Sequence, residues 1–208
     1  MLKSLSIGMA LAACCTLGSA RAATQFYVGA QGGLLSSQSD VTIPAYPSKF
    51  KLESTGGEAG AFAGIDFQRS EHWSIGFEAD WNWTNADGTH LSHTSGPSTE
   101  KYAIDQNWNA SIRALIGYTI GETTRLFGEA GFKRTNVDTR YIPGPIVKTV
   151  DLDGYVLGLG IGDMIDANCF YRAEYRYSHT GSERVVHGGP SDVDIDTNEV
   201  LLSVGYIF

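Results

Sequence analysis

Between Trp73 and Trp83 every odd position is apolar (Trp73, Ile75, Phe77, Ala79, Trp81, Trp83) and every even one is small or polar (Ser74, Gly76, Glu78, Asp80, Asn82). A period of two builds a strand with two chemically different faces. One face is a greasy ladder ended by tryptophans, and the other carries two carboxylates. In a soluble sandwich the greasy face meets a core and the carboxylates meet water. In a membrane barrel the greasy face meets lipid, the polar face lines the lumen, and aromatic residues gather at the two interfaces. The rest of the chain decides between these.

The beginning of the chain favours export. Lys3 precedes an apolar stretch from Leu5 to Leu17, and Ala20, Arg21 and Ala22 follow. This is a basic start, a short apolar region and a small-x-small cleavage site, so residues 1–22 read as a cleaved signal peptide and 23–208 as one domain. Leu11 to Cys14 also resembles a lipobox, in which Cys14 would be lipidated. The apolar run continues past Cys14 and a cleaner peptidase site follows, so cleavage after Ala22 is the reading taken. No other stretch approaches the roughly 18 apolar residues of a transmembrane helix. Removing Lys3 and Arg21 takes the net charge from −8 to −10. That acidity excludes nucleic acid as a partner, because binding it needs clustered Lys and Arg. Only Cys169 lies beyond the signal, so no intrachain disulfide framework exists. Mean hydropathy is −0.12, an average that hides the alternation.

Eight alternating segments run along the chain, at 26–35, 58–67, 73–83, 107–120, 125–134, 154–162, 169–178 and 199–208. Most of these have the ~9–11 residues of a tilted spanning strand. The outward sets include Trp108, Ala110, Ile112, Ala114, Ile116 and Tyr118 in the fourth, and Val200, Leu202, Val204, Tyr206 and Phe208 in the last. Residues 36–57, 84–106, 135–153 and 179–198 are long and polar, whereas 68–72, 121–124 and 163–168 are short. Strict long–short alternation predicts an all-β, eight-stranded antiparallel up-and-down transmembrane barrel with four long external loops and both termini in the periplasm. Pairing each strand with its sequence neighbours closes the sheet and removes edges that lipid cannot solvate. An aromatic girdle is expected from Trp73, Trp81, Trp83, Trp108, Tyr118, Tyr155, Tyr171 and Tyr177.

Three stretches carry a family resemblance: Phe26 to Ala30 after the cleavage site, Ala173 to Tyr177 in the seventh segment, and Val204 to Phe208 at the end. The chain resembles the small eight-stranded outer-membrane barrels of the OmpA and opacity-protein (porin family) type, over Phe26 to Phe208. The resemblance implies an integral outer-membrane protein of a Gram-negative envelope, with a structural, surface-antigen or small-pore role. It also implies that Val204, Gly205, Tyr206 and Phe208 form the signal read by the barrel-assembly machinery. Because Phe208 ends the sequence, the peptidoglycan-binding domain of larger members is not expected.

An eight-stranded barrel is only wide enough to be filled by its own side chains. Inward positions include Glu78, Asp80, Arg113, Glu129, Lys133, Arg172, Glu174, Arg176 and Glu199. By height along their strands, Glu78, Arg113, Glu129, Lys133, Glu174 and Arg176 are expected to form one charge network at mid-membrane, because unpaired buried ions are costly. A plug is the reading taken, and a gate opening a narrow ion path is its rival. Glu78 and Asp80 as an acid/base pair would need a cleft for substrate, which a packed lumen does not offer.

His90 and His93 near Asp87 have metal-like spacing but no regular element to fix it. They also superficially resemble the His-x-Ser pair of lipid A deacylases, although those act from a lipid-facing strand. His179 and His187 flank glycine-rich loop sequence and are read as solvent contacts. Cys169 reads as a small apolar residue beside a turn. Ile43 to Pro47 and Tyr141 to Pro145 make proline-stiffened protrusions at which a host or surface ligand could dock. No catalytic residue, metal or cofactor is expected. The expected partners are the lipid bilayer, lipopolysaccharide and the assembly machinery, with the chain as a monomer. A narrow porin-like channel is the alternative function, and a membrane-embedded lipid-modifying enzyme the less favoured one.

Overall fold

The structure is a computed structural model. It describes the backbone of residues 24–43, 48–88, 91–95, 98–142, 146–181, 185–186 and 190–208, with side chains at 24–40, 53–86, 104–138, 149–181 and 194–208. Residues 1–22, Cys14 and the protrusion tips 44–47 and 143–145 lie outside it, as do the side chains of His90, His93 and His187.

Eight long strands form the wall: β1 (Thr24–Ile43), β2 (Ser48–Gln68), β3 (Trp73–Gly88), β5 (Ser98–Ile120), β6 (Thr124–Ile142), β7 (Ile146–Met164), β8 (Cys169–Thr180) and β10 (Pro190–Ile207). Two short strands, β4 (Leu91–Ser95) and β9 (Val185–Val186), lie against β5 and β10. Every long strand runs antiparallel to its neighbours, and β1 closes the sheet by pairing with β10 from Tyr27↔Ile207 to Thr42↔Asp192. The Phe208 amide adds to that seam by donating to the Phe26 carbonyl (2.9 Å).

One end carries three tight turns. The Arg69 amide donates to the Trp73 carbonyl (2.8 Å), and the Ile165 amide to that of Cys169 (2.7 Å). The turn between β5 and β6 needs a left-handed residue, which Gly121 supplies at φ 68°.

The strands overrun their expected bounds at the opposite end. Stretches read as loops, 36–57, 84–106, 135–153 and 179–198, are largely paired strand among the described residues. The reason is chemical. On the described parts of β7 and β10 alternation continues there, but with apolar residues pointing inward and polar ones outward. On β7, Leu157, Leu159 and Ile161 face out, whereas Val150 and Leu152 are buried between exposed Asp151 and Asp153. A pattern search tuned to a greasy outer face loses the strand where the chemistry inverts. The inversion coincides with a bulge on the β3–β5 and β5–β6 ladders, around Trp83–Ala86 and Gln106–Trp108. Bulges of this kind gather at barrel rims.

Candidate functional site

The lumen is filled in layers. Nearest the turns, Tyr27, Phe62, Leu115 and Phe127 are buried, with half-buried Phe170 beside them. The Tyr27 ring meets Phe170 edge-on at 5.7 Å and Phe62 at 6.2 Å. Bulky rings fit in so narrow a lumen because each faces a glycine. A Cβ on Gly29, Gly64, Gly160 or Gly205 would run into the ring of Phe62, Tyr27, Phe127 or Phe170 respectively. Gly205, read above as part of an assembly signal, seats the Phe170 ring.

Above the rings lies a layer of charge. Arg113, 1% exposed, bonds Glu78 (2.5 Å) and Glu129 (2.9 Å) and contacts Asp80 (2.5 Å). Arg176 reaches Glu174 (2.5 Å), Glu129 (3.0 Å) and Asp80 (3.2 Å). Arg172 bonds Glu78 (2.6 Å), pairs with Glu174 and lies 4.1 Å over the Phe62 ring, which ties the charged layer to the aromatic one. Three planar guanidinium groups thus cross-brace carboxylates from β3, β6 and β8. Asp80 and Arg172 were read as inward but not as members, and both are central here. Lys133 pairs with Glu199 of β10, two inward positions along β6 from Glu129. Arg125 and Asp66 make a separate pair toward the turns (2.5 Å). Glu78 and Asp80 are both paired with arginines rather than set across a cleft from each other.

Amides continue the filling toward the hairpins. Gln31 donates to Asn82 (2.7 Å), Asn82 to Asn109 (3.1 Å), and Asn109 to the Glu58 carboxyl (3.1 Å). Sequence reasoning passed over this chain, although each member occupies an inward phase of its strand. Next, the Ser37 hydroxyl bonds Thr197 and accepts from the Gln106 amide. Ile104, Val137, Val150, Leu152 and Ile195 then form an apolar cluster inside the hairpin end.

Outside, Phe26, Leu34, Phe77, Ile112, Phe132, Leu159, Leu202 and Phe208 are exposed. Aromatic residues bracket this band. Trp73 packs on Tyr118 at 4.9 Å on the turn side. Trp81 and Trp108 stack at 4.3 Å on the hairpin side, where Tyr155 lies 6.4 Å from Tyr177. Tyr171 is exposed on the turn side, and Trp83 at the hairpin edge. His179 meets more than solvent: its ring bonds Asp196 (2.8 Å) beside Tyr155. Cys169 is a half-buried free thiol at the third turn.

A protein-family model described as an outer membrane protein beta-barrel domain matches residues 7–208. The chain belongs to this family. Among curated relatives, a 22 kDa outer membrane protein of Rhizobium leguminosarum is 28% identical over 148 residues, covering 71% of this chain and 64% of the relative. The 31 kDa outer-membrane immunogenic protein of Brucella melitensis is 24% identical over 152 residues, covering 70% and 63%. The match to each thus spans just under two thirds of its length. Among solved structures, OprG of Pseudomonas aeruginosa superposes with a TM-score of 0.57 at 14% identity, covering 90% of this chain and 97% of that one. The outer membrane protease OmpT of Escherichia coli gives 0.56 at 10%, covering 88% and 97%. At such identities both establish the fold alone. This barrel is an integral protein of the Gram-negative outer membrane, its exposed apolar band is its lipid face, and its lumen holds buried salt bridges.

Proposed function

We propose that this barrel is a non-catalytic, non-conducting surface protein: a sealed transmembrane stave that holds its hairpins above the outer leaflet for contact with a host or surface ligand. The observation that carries this reading is the filled lumen, where a cross-braced arginine–carboxylate layer sits between aromatic and aliphatic layers. A conducting path would need side chains of both apolar layers and the ionic layer to move together. The names of the Brucella relatives, immunogenic outer-membrane proteins, support surface exposure of the hairpin end. In this reading residues 1–22 are removed after Ala22. The turns face the periplasm. The exposed ladder Val204, Tyr206 and Phe208 is read by the assembly machinery, the Trp and Tyr residues form two girdles, lipopolysaccharide packs on the hairpin-side girdle, and the barrel is a monomer.

Single-channel recording in planar bilayers tests it, paired with surface labelling of intact cells. The expected result is a silent bilayer with labelled hairpins. Discrete, reproducible conductance steps would replace the plug with the narrow-channel reading, and a mass change in lipid A on expression would replace it with an enzyme.

A further inference from the structure

Each carboxylate of the arginine layer touches at least one guanidinium: Glu78, Asp80 and Glu129 two apiece, Glu174 three. Glu199 has Lys133. Glu58 differs. It is 6% exposed, it points inward from β2 level with Trp83 and Thr84, and among the described residues it pairs with no cation. The charged groups within electrostatic reach of it are Glu199 on β10, Lys133 on β6 and Arg176 on β8. Lys133 is engaged by Glu199, and Arg176 by Asp80, Glu129 and Glu174. Two carboxylates, Glu58 and Glu199, therefore share the neighbourhood of one lysine already committed to the second of them.

The hydrogen bonds at Glu58 are asymmetric. Oε2 accepts from the Asn109 side-chain amide, and Oε1 has no hydrogen-bond partner among the described residues. The amide cannot turn round to serve differently. Its own oxygen is held by the Asn82 Nδ2, and the Asn82 oxygen is held by Gln31. The chain thus presents an N–H to Oε2, which accepts it. A buried, unpaired carboxylate with one bare oxygen is far costlier than a neutral carboxyl in the same place.

We propose that Glu58 is a proton-binding site of the lumen: in the folded barrel it is a neutral carboxylic acid at pH 7, with Oε2 the carbonyl oxygen held by Asn109 and Oε1 the hydroxyl. The upper lumen is then balanced by one lysine, one carboxylate and one neutral acid. Removing that proton puts a second negative charge beside Glu199 and loosens this layer.

Infrared difference spectroscopy on the full barrel in detergent micelles tests this, because the C=O stretch of a neutral carboxylic acid is separate from the amide and carboxylate bands and shifts in D2O. At pH 7 the wild type should show that band. Glu58→Gln and Glu58→Leu should lose it, Glu199→Gln should weaken it by freeing Lys133 for Glu58, and Asn109→Ala should move it by freeing the carbonyl oxygen. Glu58→Gln keeps a neutral group of the same shape, so it should insert normally, and its heat resistance should lose the wild type's decline toward alkaline pH. No such band in the wild type at pH 7 overturns the proposal. So does a band that survives both Glu58 variants, or one that Asn109→Ala leaves unmoved.

Discussion

The same strands are built to opposite rules at their two ends. In the membrane belt, β10 points Val200, Leu202 and Val204 outward and Glu199 inward, while β7 points Leu157 and Leu159 outward over glycines. A few residues further along, β10 points Asp194 and Asp196 outward and Ile195 inward, and β7 points Asp151 and Asp153 outward over Leu152. Facing does not change; what each face must meet does. Lipid has no water to solvate a charge, so the belt turns its charges inward, where they must pair. The hairpins stand in water and follow the ordinary rule of apolar interior and polar surface. Stability in the belt therefore rests on electrostatic cross-bracing, and in the hairpins on a small aliphatic core.

Arg113→Ala should produce the largest effect, because it strips a shared guanidinium from Glu78, Asp80 and Glu129. Loss of one partner from a buried ion network costs about 3–5 kcal/mol. Urea unfolding in lipid vesicles measures it, with conductance recorded alongside; the plug predicts lower stability without new conductance. Leu152→Ala should cost about 2–5 kcal/mol in the hairpin cluster. Its signature is protease nicking of the hairpins while the belt keeps its heat-resistant band, and belt unfolding at the same denaturant concentration would show that the two ends share one core. A pair on one face of β10 separates the environments directly. Leu202→Arg should lose about 2–4 kcal/mol near mid-bilayer, whereas Asn198→Arg, one turn of the pleat beyond the belt, should lose about 0–1 kcal/mol. Equal losses would erase the boundary.

The smallest effect concerns the third turn, outside the span. Asp166 accepts the amides of Asn168 and Cys169 (2.8 and 2.7 Å), which hold its carboxyl below the usual range. A lowered carboxylate stabilises above its ordinary titration range and loses that contribution as pH falls through the lowered value. The gap in heat-modification midpoint between wild type and Asp166→Ala should thus be present at pH 7 and close in acid.

The belt was legible because lipid and lumen impose opposite chemistry at every step, and a run such as Trp73 to Trp83 admits one facing only. Inward residues could be read by parity, so Glu78, Arg113 and Arg176 could be placed at one height. Partner choice could not. Whether Arg113 takes Asp80 as well as Glu78, or Lys133 takes Glu199, depends on strand stagger and on side-chain reach across the barrel. The hairpin strands escaped because Val150, Leu152 and Ile195 are too sparse in a polar stretch to announce a period. The ring-seating glycines carry no side chain to announce their role, and only the cross-strand register pairs Gly64 with Tyr27 or Gly29 with Phe62.

The change of solvent along a single strand face is open to one direct measurement. Cysteines placed one at a time at Asp194, Asp196, Asn198, Val200, Leu202 and Val204, in a Cys169→Ser background, can be challenged on intact cells with a membrane-impermeant maleimide. The account predicts labelling at Asp194, Asp196 and Asn198 and protection from Val200 onward, with the step at the aromatic girdle. Uniform labelling along the face, or protection at Asp194 and Asp196 with labelling at Leu202, would contradict it.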